Sequence, residues 1–151
     1  VKLAKASLNI RIFALMEFNL RRLTENDYDD TLKHWWKSWG WEAPPKDFLP
    51  ENATGGLMVT KGDLDICAGF IYLTNSKVAL TEFVVSNKDY KEKDRTEAIE
   101  LLIDGILMLA DEKGYKYAHV ILKNKSLVGK YKKSGYMVSD ENVTEMIKVW
   151  Q

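Results

Sequence analysis

Residues 123–136, KNKSLVGKYKKSGY, set Asn124, Leu127, Tyr131 and Gly135 at helical spacing and run straight into Tyr136. An asparagine there can cap a helix, because its side-chain oxygen accepts a hydrogen bond from an otherwise unpaired amide of the first turn. Leu127 and Tyr131 share a face with Val128, while Lys130, Lys132 and Lys133 fall in the last turn, where cations complement the helix dipole. Gly135 supplies the left-handed residue that ends the helix. Such a capped amphipathic helix needs no function to explain it. Its phenol, however, keeps a proton at pH 7, with a reference pKa of about 10.

Other groups can also move protons. Glu82 lies among apolar residues in LTEFVVS, where partial burial would raise its pKa, although a strand carboxylate can equally face solvent or pair with a lysine. His119 in YAHVIL and His34 on a predicted first helix are weaker candidate bases. Cys67, in the apolar run LDICAGFIYL, reads as a small core residue rather than a nucleophile.

The elements that must position these residues follow from periodicity and turn residues. FNLRRL (18–23) reads as a strand. Thr24 and Asp27 in TEND stand at capping-box spacing before a helix, YDDTLKHWWKSW, that Gly40 stops. APPKDFLPENATGG (43–56) is a loop with one short helical turn around residues 46–49. Strands at 57–60, 64–74 and 77–85, separated by KGD and NS, form an antiparallel meander. Ala98, Leu101, Leu102, Gly105, Ile106, Leu109 and Ala110 give one apolar helical face, closed at Gly114. KYAHVIL (116–122) is the next strand, and YMV with VTEMIKVW is expected to close the chain as a final hairpin.

The 151 residues, 46% of them hydrophobic, suit one domain able to bury a core without disulfides or metal. Twenty-two basic and 22 acidic residues cancel, so overall charge does not recommend nucleic acid or an anionic membrane as a partner. No apolar run approaches the roughly 18 residues of a membrane span, and the single cysteine fits a reducing cytoplasm. Residues 1–15 contain no acidic residue and read as an N-terminal extension, leaving a single domain over 16–151.

The spacing Asn124, Leu127, Tyr131, Lys133, Gly135, Tyr136, after a strand, resembles the NxxAxxLYxKxGF segment of the GCN5-related N-acetyltransferases, the GNAT superfamily. The element order and ADEKGYKY are similar too. The resemblance implies an α/β (α+β) fold, with a mixed, mostly antiparallel sheet of six to seven strands flanked by helices, and strands four and five splayed. It implies transfer of an acetyl group from acetyl-CoA to the primary amine of a small-molecule or peptide acceptor, by direct attack in a ternary complex. No metal is implied, and the chain would act as a monomer or homodimer.

Tyr131 stands at the family's tyrosine position, as general acid to the leaving sulfur, with Glu82 the candidate base. The resemblance puts the oxyanion donor at an amide near Val84 or Val85 and the cofactor arm along Phe83, Val84 and Val85, with Asn124 and Tyr131 also against the cofactor.

The family's phosphate loop, Q/RxxGxG/A, corresponds here to VSNKDYKEKDRTEA, which has no glycine. Lys91, Lys93, Arg95 and Thr96 could hold phosphates instead, while Asp94 and Glu97 form a capping box competing for the same amides. The alternative function is therefore a non-catalytic GNAT-fold binding protein with a degenerate pyrophosphate loop. The resemblance places HWWKSWGWEAPP on the acceptor side, making Trp36, Trp39 and Trp41 candidate acceptor contacts, although core packing accounts for at least two of this tryptophan group.

Overall fold

A computed structural model describes residues 17–151. The expected N-terminal extension, residues 1–15, and the domain's first residue, Met16, lie outside the described residues. Five strands form one sheet in the order β1-β2-β3-β4-β5: β1 (Phe18–Arg22), β2 (Gly56–Lys61), β3 (Leu64–Leu73), β4 (Val78–Ser86) and β5 (Tyr117–His119). The first four are successive antiparallel neighbours, and β5 joins β4 in parallel. The connection between them is α2 (Arg95–Glu112), the crossover that a parallel pair requires. A π-helical turn, Tyr28–Leu32, leads into α1 (Lys33–Ser38), and α3 (Lys125–Lys133) follows β5.

The sheet has a hydrophobic layer on each face. α2 lays Ala98, Leu101, Leu102 and Ile106 against Val59, Cys67 and Ala79, with Tyr131 of α3 in the same cluster. On the opposite face Trp35 and Trp36 pack with Met58, Phe70 and Val85. Cys67 is fully buried, and that burial pushes its thiol well above the ordinary range, so it is a core residue as expected. Gly105 lets α2 approach the sheet, because a Cβ there would press on the Leu20 side chain.

The start of α1 is tied to the sheet by charge. Arg21 grips Asp27 with two parallel bonds of 2.8 and 2.9 Å and reaches Asp65 at 3.2 Å. Asp27 also accepts from the Thr24 amide at 2.7 Å, which is half of the expected capping box; the Thr24 hydroxyl donates to the same carboxylate instead of capping. Burial opposes ionisation of Asp27, yet Arg21 and Thr24 together hold its carboxyl below the usual range.

The expectation of six to seven strands is corrected to five among the described residues. The proposed hairpin of YMV and VTEMIKVW does not form: nothing from Gly135 onward is strand or helix, and Met137, Met146 and Trp150 are 90%, 89% and 82% exposed. A run of β-prone residues makes a strand only where a ladder partner and a buried face are supplied. β5 also stops short of the expected 116–122, holding three residues.

A Cβ at Gly56 would overlap the carbonyl oxygen of Gly69 across the β2–β3 pair. Gly56→Ala is therefore expected to lower unfolding free energy by about 1–3 kcal/mol in urea titration, as overpacking at a closed contact does.

Candidate functional site: a fork between two parallel strands

β4 and β5 pair only at Val78 with Tyr117, Ala79 with Ala118 and Leu80 with His119. β4 continues to Ser86, its other edge still paired with β3 as far as Cys67 and Ser86. From Thr81 to Ser86, the edge of β4 facing β5 has no ladder partner among the described residues, so the two strands part, as the resemblance implied.

A bulge lies within the open part. Ala68 pairs with Val85 and Phe70 with Glu82, leaving Gly69 opposite both Phe83 and Val84. Phe83 takes a φ of 59°, a left-handed conformation that costs a non-glycine residue about 1–2 kcal/mol. Its ring is held edge-on to Phe48 at 5.8 Å and tilted to Tyr72 at 6.4 Å. Bulges re-aim the strand that carries them, here where the pairing has already ended.

Side chains converge on the fork from both faces. Thr81, 3% exposed, shares a 2.7 Å hydrogen bond with the Tyr136 hydroxyl and lies 3.5 Å from the His119 carbonyl. Glu82 accepts a 3.0 Å bond from the Ile121 amide, spanning the gap that the main chains leave. Burial pushes Glu82 up to about 7; the Ile121 amide pulls it down, Glu145 raises it further and Lys123 opposes. The field of Glu82 reaches tyrosines in both layers, Tyr72 and Tyr131.

Tyr131 is 3% exposed, with its ring centroid 5.1 Å from that of Tyr136 in an edge-on contact. Burial, then Tyr136 and Glu82, keep its phenol protonated well beyond the neutral range. No hydrogen bond engages its hydroxyl among the described residues.

Local sequence explains this placement. Asn124 caps α3 by accepting from the Ser126 amide at 3.0 Å. At the other end Gly135 has a φ of 99°, with Gly135 donating to the Lys132 carbonyl and Tyr136 to that of Tyr131. This paired-bond ending brings residues five apart into side-chain contact. α3 is docked on α2 by Ser134 to Asp104 at 2.7 Å and Lys133 to Glu100 at 3.1 Å.

The loop after β4 departs from expectation. Asp94 does not cap α2, so its proposed capping box with Glu97 is absent. Its carboxylate is drawn away by Lys61 at 2.8 Å and the Tyr90 hydroxyl at 2.7 Å. The amides of Thr96 and Glu97 consequently donate to nothing among the described residues. Lys91, Lys93 and Thr96 are exposed, while Arg95 donates to the Tyr90 carbonyl at 3.3 Å.

The tryptophans divide. Trp36, 4% exposed, lies between Tyr28 and Phe70, which corrects its expected place as an acceptor contact: its large apolar area is spent in the core. Trp39 donates to the Ser86 carbonyl at 2.8 Å, with Lys88 and Arg95 over its ring at 5.3 and 5.7 Å. Trp41 stacks on Trp39 and stays 47% exposed. His119 ends β5 and is exposed, as is His34 on α1. Sequence reasoning missed Thr81, Tyr136, Lys61 and the Phe48–Tyr72–Phe83 aromatic group. One signal was present: the resembling segment ends in Phe where this chain has a hydroxyl-bearing Tyr136.

No protein-family model matches the sequence, and no curated protein does. Solved structures do. Ard1 from Thermoplasma volcanium is 14% identical with a TM-score of 0.67, covering 82% of this chain and 85% of its own. An aminoglycoside acetyltransferase from an uncultured soil metagenomic sample, in complex with sisomicin, is 14% identical with a TM-score of 0.58, over 90% of this chain and 98% of that one. An acetyltransferase from Trypanosoma brucei is 16% identical with a TM-score of 0.58, over 86% and 99%. At such identities the likeness is one of fold, and this chain has the fold of the GCN5-related N-acetyltransferases.

Two outcomes are expected. Lys61→Met should release Asp94 to cap α2, slowing hydrogen exchange at the Thr96 or Glu97 amide; unchanged exchange would mean that Lys61 does not divert the cap. For Glu82 the folded pKa of about 7 lies above the ordinary value. The folded state therefore holds the extra proton, and this group's contribution is full below about pH 4 and is lost as pH rises through 7. Glu82→Gln should flatten that part of a stability-against-pH curve.

Proposed function

We propose that this chain is an N-acetyltransferase that moves an acetyl group from acetyl-CoA to a primary amine within a ternary complex. The observation that carries the reading is the β4–β5 fork, bridged by Glu82 to the Ile121 amide at 3.0 Å, with the buried phenol of Tyr131 near enough to feel the Glu82 charge. The residues fit such a ligand: the unpaired edge of β4 at Phe83, Val84 and Val85 can take the pantetheine amides in place of a neighbouring strand. The open amides of Thr96 and Glu97, with Lys91, Lys93 and Arg95, can receive the pyrophosphate without glycine. Asn124 contributes by fixing the start of α3. Bound acetyl-CoA supplies an acyl group activated as a thioester.

The rest is done by the chain. Glu82 accepts a proton from the incoming amine, directly or through water, as nitrogen bonds to the acyl carbon. An amide at Val84 or Val85 donates to the acyl oxygen as its negative charge develops. Tyr131 gives its proton to the departing sulfur as the carbon–sulfur bond breaks, leaving an amide and a free thiol. Phe48, Tyr72 and Phe83 bound the acceptor side next to Glu82, with Trp39 and Trp41 beyond the end of β4. The acceptor is a small molecule or a peptide amine.

Among the described residues no helix is long and apolar enough to cross a membrane, and the reading includes a cytoplasmic site of action. The degenerate-loop alternative is separated by turnover.

Tyr131→Phe should lower kcat by about a hundredfold or more while leaving acetyl-CoA affinity within about twofold, in a thiol-release assay across an amine panel. A wild-type rate in this variant would remove Tyr131 from the mechanism. Wild-type kcat/KM should rise as pH passes through about 7 while Glu82 deprotonates, and Glu82→Gln should lose that limb.

A further inference from the structure

Tyr131 presents an unusual problem of orientation. Its phenol makes no hydrogen bond among the described residues, so its own polar group does not fix where it points. The neighbour that does so is Tyr136. That ring meets Tyr131 edge-on at 5.1 Å and 75°, and its hydroxyl is tied to Thr81 at 2.7 Å. Thr81 is the first β4 residue beyond the last β4–β5 pair, Leu80 with His119. Its hydroxyl also approaches the His119 carbonyl at 3.5 Å. A single part-buried pair of hydroxyls thus links the branch point of the sheet, at Thr81, to the ring that packs on Tyr131.

We propose that the Thr81–Tyr136 hydroxyl pair is a positioning device that sets where β4 and β5 part and aims the Tyr131 phenol into the fork. Tyr136 acts through Tyr131 and does not itself exchange a proton with the substrate. Three features support this role. The paired-bond end of α3 brings the two tyrosines together, with the Tyr136 amide on the Tyr131 carbonyl at 3.1 Å. Thr81 is 3% exposed, so its hydroxyl needs a partner within the protein. Packing alone would be met by phenylalanine at 136, so the hydroxyl has a separate task. A one-ångström displacement at a reacting group is enough to cost orders of magnitude in rate.

The inference rests on the acetyltransferase reading for its kinetic consequences, and the test separates the two. Tyr136→Phe and Thr81→Val should each lower kcat about tenfold or more at an unchanged KM for acetyl-CoA, while Thr81→Ser stays near wild type. Adding Tyr136→Phe to Tyr131→Phe should lower kcat no further, because the pair works through that phenol. Additive losses, or no rescue by serine, would overturn the proposal. Ring signals of carbon-13-labelled tyrosine supply a readout independent of turnover. The Tyr131 signal should shift in Thr81→Val but hold in Thr81→Ser. If wild-type protein turns over no amine while those signals behave so, the positioning stands and the acetyltransferase reading falls; an unmoved Tyr131 signal in Thr81→Val would overturn the positioning itself.

Discussion

The site depends on a ladder that stops. β4 and β5 exchange hydrogen bonds over three residue pairs and then separate, although β4 runs on for six more residues. Each ladder bond forgone is worth about 1 kcal/mol net, and the left-handed Phe83 adds a further cost. The sheet tolerates this because the bulge sits against Gly69, where Ile106 and Leu102 of α2 close in. On the other face Phe48 and Tyr72 hold the Phe83 ring. Two side chains then reach where the main chain does not, Thr81 toward the His119 carbonyl and Glu82 to the Ile121 amide.

The fork is also where the two hydrophobic layers meet. One layer, built by α2 and α3, delivers a buried phenol. The other, built by α1 and the turns after it, delivers an aromatic group beside a carboxylate. Glu82 lies between them, and burial raises its pKa into the neutral range. Desolvation thus raises the pKa of the Glu82 carboxyl and of the Tyr131 phenol alike. At the end of β4, Asp94 is drawn to Lys61 and Tyr90, so the first turn of α2 is left uncapped.

Much of this was legible in the residues. The capped helix from Asn124 to Gly135, the meander of β2 to β4 and the long α2 follow from local capping and periodicity, and each forms within a residue or two of expectation. What failed depended on partners distant in the chain. VTEMIKVW, rich in β-branched and aromatic residues, reads as a strand, but no ladder among the described residues receives it. Asp94 and Glu97 have capping-box spacing, yet a lysine 33 residues away takes the carboxylate. Trp36 looks like Trp39 and Trp41 in the sequence and differs because Phe70 waits beneath it. Phe83 carries no glycine or asparagine signal for its left-handed turn, so the bulge was invisible. Tyr136 was in view from the start, but its meaning needed Thr81, 55 residues earlier.

The central claim is that the unpaired edge of β4 and the uncapped start of α2 receive one ligand together. Amide NMR of the nitrogen-15-labelled protein, titrated with acetyl-CoA, tests it most directly. The account predicts saturable shifts that cluster at Val84, Val85, Thr96 and Glu97, with Thr74 to Ser76, in the turn at the opposite end of β4, little affected. Shifts confined elsewhere, or none with ligand raised to millimolar concentration, would contradict it.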